Sequence, residues 1–133
     1  MAKGKNNKSG KSITGRYVDG FVIPISKKNL TSYLRMARLG REVWLEYGAL
    51  EYRECVGDDL NVKMGLPFSK MAKLKAGETV VFSWIVYKSR AHRDTVNSKV
   101  IKDPRIAKMM NNKSMPFDDK RMAYGGFKIK VNE

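Results

Sequence analysis

The sequence predicts an α+β fold whose strands and helices follow the order βαββαβ. Three observations carry that expectation. Four runs are rich in β-branched and aromatic residues; stretches with helical spacing of apolar positions follow the first and third of them; and two of the runs are apolar on both faces. At 133 residues and 42% hydrophobic content, the chain is about the size of one ordinary domain with one core. The expected division is a basic leader over residues 1–15 and one α+β domain over 16–133.

The first strand is read from Arg16 through Tyr-Val-Asp-Gly-Phe-Val-Ile to Pro24, which should end it. Ser26 then offers an N-cap. Leu30, Leu34, Ala37, Arg41, Trp44 and Gly48 fall on one stripe, so an amphipathic helix of about 20 residues is expected, stopped at Gly48. Ala49 to Val56 alternates, with Leu50, Tyr52, Glu54 and Val56 on one side and Ala49, Glu51, Arg53 and Cys55 on the other. Residues 57–79 mix glycine, Pro67 and the lysines 63, 70, 73 and 75 and read as a long basic connection.

Thr79 to Lys88 is apolar on alternate and intervening positions alike, as a central strand buried on both faces would be. Ser89 caps a second helix over Arg90 to about Lys102. Asp103-Pro104 pairs an N-cap with proline at the first helical position and opens a short helix with Ile106, Met109 and Met110 inward. Met115 to Asp118 is a turn, and Arg121 to Val131 the last strand, where Gly125-Gly126 suggests a bulge or the close approach of another backbone.

The order βαββαβ with antiparallel neighbours is the ferredoxin-like arrangement, in which helices cover one sheet face. The other face should then be polar, yet Val18 and Val22 oppose Tyr17, Phe21 and Ile23, and the third strand is apolar throughout. An uncovered apolar sheet is an interaction surface, and a second copy on a two-fold axis is the expected cover. A face-to-face homodimer follows.

The balance of 27 basic and 13 acidic residues gives +14, a field that attracts anions but sets no specificity. Lys3, Lys5, Lys8, Lys11 and Arg16 meet no acid before residue 17, and the glycine, serine and asparagine between them give a disordered basic arm, a composition that expression tags share. No run approaches the roughly 18 apolar residues of a membrane span, and the N-terminus has no secretory signal, so a soluble cytoplasmic protein without membrane partners is expected. Cys55 is the only cysteine and reads as a small apolar strand residue. With one cysteine and one histidine, no metal site is expected.

Four segments, Tyr-Val-Asp-Gly-Phe-Val-Ile-Pro (17–24), Gly-Ala-Leu-Glu-Tyr-Arg-Glu-Cys (48–55), Val-Val-Phe-Ser-Trp-Ile-Val-Tyr-Lys-Ser-Arg-Ala-His-Arg-Asp (80–94) and Ser-Met-Pro-Phe-Asp (114–118), resemble the YbaA-like family of small bacterial proteins, which carry a domain of unknown function. The resemblance runs through nearly everything after Arg16. It implies the dimeric α+β barrel fold and no activity, so whether the chain is an enzyme stays open. Enzymes of that superfamily often place ligands between sheet and helices, which is analogy of fold alone.

The strongest cluster of candidate site residues is Ser89-Arg90-Ala91-His92-Arg93-Asp94 at the junction of third strand and second helix. His92 shares a stripe with Val96 and Val100 and should face the sheet, as a general base or as a satisfied core residue. The helix N-terminus with Arg90 and Arg93 suits a carboxylate or phosphate, although Arg90 and Asp94, four apart, also suit a surface pair. Asp19 and Glu54 lie within apolar strand faces, and each needs a basic partner or a functional reason; Lys88, Arg90 or His92 could serve, the alternative being an ordinary salt bridge at a strand end or across the dimer boundary. Tyr17, Tyr52, Trp84 and Tyr124 are candidates for an aromatic pocket or for plain core.

The first functional expectation is a small anionic or aromatic ligand held between sheet and helices near His92, by Arg90, Arg93, Asp19, Glu54, Tyr17 and Trp84, without a cofactor. The second is weak, non-specific association with nucleic acid (RNA) through Lys3, Lys5, Lys8, Lys11, Lys70 and Lys73. The third is a structural or stress-associated dimer with no ligand.

Overall fold

A computed structural model describes residues 16–111 and 115–132. The leader through residue 15, with Lys3, Lys5, Lys8 and Lys11, lies outside the described residues. The strands are β1 (Tyr17–Ser26), β2 (Glu51–Val56), β3 (Glu78–Tyr87) and β4 (Ala123–Lys128); the helices are α1 (Leu30–Glu46), α2 (Phe68–Met71), α3 (Arg90–Lys102) and α4 (Pro104–Met110). The strands form one open, fully antiparallel sheet in the order β2-β3-β1-β4. The class is therefore α+β, with α1 between β1 and β2 and α3 and α4 between β3 and β4.

Register sorts the side chains. Tyr17, Asp19, Phe21, Ile23 and Ile25 face the helices together with Val81, Ser83, Ile85 and Tyr87 of β3. The core sits there: Val43 of α1, Val96 and Val100 of α3 and Tyr87 are at most 1% exposed. Val18, Val22, Phe82, Trp84, Val86 and Phe127 lie on the opposite face, where among the described residues only α2 packs, setting Phe68 against Phe82 at 6.1 Å between centroids; Phe82 and Phe127 remain exposed by 44% and 60%.

Several boundaries depart from expectation. Pro24 does not end β1, because β4 stops opposite Val22 and Pro24 lies where β1 has a neighbour on one side only. Ser26 ends the strand and makes no side-chain cap; a 3-10 turn, Lys27–Asn29, precedes α1. The buried stripe of α1 is Tyr33, Ala37, Gly40 and Val43, and Arg41, expected on it, is exposed. Gly48 does stop the helix, at φ 113°. Leu50 precedes β2 and turns to the open face beside Glu51, away from Tyr52 and Glu54. The 57–77 connection contains α2, and β4 is shorter than the expected 121–131. Gly125-Gly126 makes no bulge: the register with β1 is unbroken, and the close approach is by a side chain, the Tyr17 ring against Gly126.

Two of the three expected caps, Ser89 and Asp103, are in place. The Ser89 hydroxyl accepts from the His92 N–H, and Asp103 accepts from the Arg105 N–H with Pro104 at the first helical position.

Candidate functional site

A cavity of about 580 Å³ lies between sheet and helices, walled by Phe21, Trp44, Tyr87, Tyr124, Val100 and Ile106 and reaching Asp19. It is built by the side-chain direction of β1, which sends Asp19 and Phe21 to the same face, and by Asn97 and Val100 of α3, which line it; Arg93, one turn before Asn97, lies outside the lining and reaches Asp19.

Asp19 is 1% exposed, and Arg93 Nη1 donates to its Oδ1 at 2.7 Å. The same Nη1 donates to the Tyr124 hydroxyl at 2.9 Å, Nε donates to Asp94 at 2.7 Å, and the guanidinium lies 5.0 Å over the Tyr17 ring. Arg93 thus gathers β1, β4 and its own helix. Burial raises the Asp19 carboxyl above the ordinary range, and the opposing pull of Arg93 and of Tyr124 is smaller. Gly126 belongs to this arrangement, since a Cβ there would collide with the Tyr17 ring on which Arg93 rests. Nearby, Asn97 Oδ1 accepts from Trp44 Nε1 at 3.0 Å and from the Tyr87 hydroxyl at 3.1 Å.

A second cavity of about 270 Å³ adjoins the first through Phe21, Trp44, Ile85, Met110 and Met122, and contains Glu54. Tyr33 donates to Glu54 Oε1 at 2.7 Å and Tyr52 to Oε2 at 2.8 Å. Burial raises the Glu54 carboxyl against the hydrogen bonds of Tyr33, Tyr52 and Ser83. Among the described residues its partners are these hydroxyls, and none is basic. Gly40 makes the approach possible: a Cβ there would meet the Tyr52 hydroxyl at 2.9 Å.

The sequence-predicted residues therefore separate. Asp19, Arg93, Tyr17 and Tyr124 come together, and Glu54 with Tyr52 forms a neighbouring pole. His92 lines neither of these cavities: its Nδ1 accepts the Lys88 N–H at 2.9 Å, its ring meets Tyr87 edge-on, and burial, then Lys88 and Lys99, lower its pKa. Arg90 is exposed, and the pair formed on this helix is Arg93–Asp94, so the spacing-four pair Arg90–Asp94 does not occur. Trp84 faces the open side, where its Nε1 donates to Glu51 at 2.7 Å. Lys70 and Lys73 are exposed in the 57–77 connection. Trp44, Tyr33 and Asn97 were not anticipated as site residues; the four-residue spacing of Arg93 and Asn97 beside Val96 and Val100 was the available signal.

Among the described residues no group of three or more His, Cys, Asp and Glu side chains could hold a metal ion, and no helix is long and apolar enough to cross a membrane.

Comparison with known proteins gives family information and no activity. The sequence model of a family described as "Protein of unknown function (DUF1428)" matches residues 16–119. The "Uncharacterized protein YbaA" of Escherichia coli strain K12 is 40% identical over 118 residues, 89% of this chain and 99% of the relative. The proteins of the same description from Escherichia coli O157:H7 and Shigella flexneri give the same figures.

Proposed function

We propose that this chain, which belongs to the DUF1428 family of proteins of unknown function, binds a small neutral aromatic molecule in the Asp19–Arg93 cavity between sheet and helices. The observation that carries the reading is the cavity itself: about 580 Å³, within the range of small-molecule sites, aromatic on several sides, and ending at a hydrogen-bonded ion pair. Arg93 is already neutralised by Asp19 and Asp94, which favours a neutral ligand with a hydroxyl over an anion. The anchors are Asp19 and Tyr124, both positioned by hydrogen bonds from Arg93; His92, with Nδ1 engaged by backbone, supports the helix start.

The two tryptophans make a direct test. In Trp84→Phe, Trp44 is the remaining indole and lines the cavity. Titration with 2-naphthol should change Trp44 emission saturably and independently of salt, 2-naphthoate should bind at least tenfold more weakly, and Ala107→Phe, which fills the cavity, should abolish the response. Equal binding of the two probes, or binding unaffected by Ala107→Phe, would refute the reading.

The second reading is that the ferredoxin-like domain pairs through its open sheet face as a dimeric α+β barrel. It is supported by a groove of about 630 Å³ on that face, lined by Val18, Phe82, Trp84, Val86 and Phe127, with Arg16 and Glu51 at its rim. An apolar surface of this kind is far more stable covered, and a two-fold pairs it with itself. Sedimentation should give a dimer for the native chain and a monomer for Phe127→Glu; a native monomer at high micromolar concentration would sink it.

A further inference from the structure

The Glu54 compartment has a chemistry distinct from that of the cavity beside it. Its carboxylate sits among aromatic pairs: Tyr33, which holds one oxygen, packs edge-on against Phe117 at 5.7 Å between centroids, and Tyr52, which holds the other, packs against Trp44 at 6.1 Å. Met36, Met109 and Met115 complete the apolar wall; Asp119 adds a second acidic residue to the lining, and Arg53, which also borders it, is paired with Glu51. A carboxylate offers about four acceptor positions, and Tyr33 and Tyr52 take one on each oxygen. The remainder can accept from a ligand.

We propose that this compartment is a binding site for a small organic cation, an ammonium group bearing hydrogens or methyl groups. Three features select that class. Aromatic rings attract cations over their faces, and a carboxylate withdrawn from water attracts them more strongly than an exposed one. Asp19 has Arg93 as its counter-ion, whereas Glu54 has only neutral partners among the described residues, so a cation would complete it. An anion would meet Glu54 and Asp119. The volume of about 270 Å³ is below that of sites for drug-sized ligands and limits the guest to a small amine. The site goes beyond the neutral-aromatic reading of the neighbouring cavity and does not depend on it.

The probes are choline and 3,3-dimethylbutan-1-ol, in which carbon replaces the charged nitrogen at nearly constant shape. Titration of the full chain, followed by nuclear magnetic resonance of the Tyr33, Tyr52 and Trp44 rings, should give saturable shifts with choline at least tenfold tighter than with the neutral alcohol. Glu54→Gln should remove that preference and leave 2-naphthol binding in the neighbouring cavity unchanged, which separates failure here from failure of the reading above. Should Glu54→Gln lose the native far-ultraviolet spectrum, Phe117→Leu removes one ring and keeps the carboxylate; it should weaken choline severalfold and the alcohol little. Equal binding of the two probes, absence of binding by choline, or a choline affinity indifferent to the folded variant used overturns the proposal.

Discussion

Arg93→Met removes the cation from Asp19 while keeping much of the apolar stem. With Asp19 at 1% exposure, the remaining polar partners, Tyr124 and Asn97, are neutral and cannot offset a full charge. Breaking a buried pair from one side costs about 3–5 kcal/mol. In a chain of this length roughly 3–4 °C of Tm accompanies each kcal/mol, so a fall of about 10–20 °C is expected. The loss should depend on pH with a definite sign. Burial already holds the folded Asp19 carboxyl above its ordinary 3.8, and without Arg93 it rises further. A group raised in the folded state favours folding while protonated and loses that contribution as pH rises through its folded pKa. The gap between native chain and variant should therefore be small near pH 4 and widest near pH 8. Urea unfolding followed by circular dichroism at both pH values measures it, and Asp19→Asn added to Arg93→Met should recover most of the loss at pH 8. A cost under about 1 kcal/mol at pH 8, or no recovery in the double variant, would refute the reasoning that burial of the charge governs this site.

Ser89→Ala removes the acceptor for the His92 N–H and should cost about 1 kcal/mol in urea unfolding, whereas Ser89→Asp keeps a cap and should stay within a few tenths. Glu78 is held down to about 2, chiefly by hydrogen bonds from Arg121 and then by the Lys75 N–H. Its contribution is present above the ordinary 4.5 and lost as pH falls toward 2, so the stability difference between native chain and Arg121→Gln should close on acidification in an acid-unfolding series. Gly126→Ala places a Cβ in the Tyr17 ring and should cost about 1–3 kcal/mol by thermal unfolding and weaken 2-naphthol; Gly125→Ala, whose nearest contacts are ordinary at 3.6 Å, should do neither.

The elements were legible because hydrophobic spacing and capping chemistry are local. Ser89, Asp103-Pro104 and Gly48 sit where their backbone chemistry predicts. The face on which Asp19 and Glu54 lie was also readable from alternation within each strand. Their partners were not. Whether Asp19 meets Lys88, Arg90, His92 or Arg93 depends on the rotation of α3 over the sheet, and one residue of helix moves a side chain by about 100°. His92 and Arg93 thus exchange roles through a difference invisible to periodicity: His92 closes on the backbone of Lys88, while Arg93 reaches across to β1. Trp84 illustrates a different limit. In a strand apolar on both faces, composition cannot say which face is covered; pairing of Trp84 with Gly20 and Arg53 settles it. Tyr33 and Trp44 belong to an ordinary amphipathic stripe, and only the contact of α1 with β2 turns Tyr33 toward Glu54.

The sheet order has a consequence for how the chain comes to be folded. β1 lies between β3 and β4, so among the described residues the first strand made is flanked by the fourth. While the chain emerges, β1 can pair with β3 once residue 87 is available, but its other edge from Tyr17 to Val22 stays unpaired until β4 follows. Pairing that is distant along the chain is slow, and an open edge beside an apolar strand is prone to adventitious pairing in the interval. Removal of β4 would leave that edge open permanently, and the chain has most need of protection between the completion of β3 and the arrival of residues 123–128.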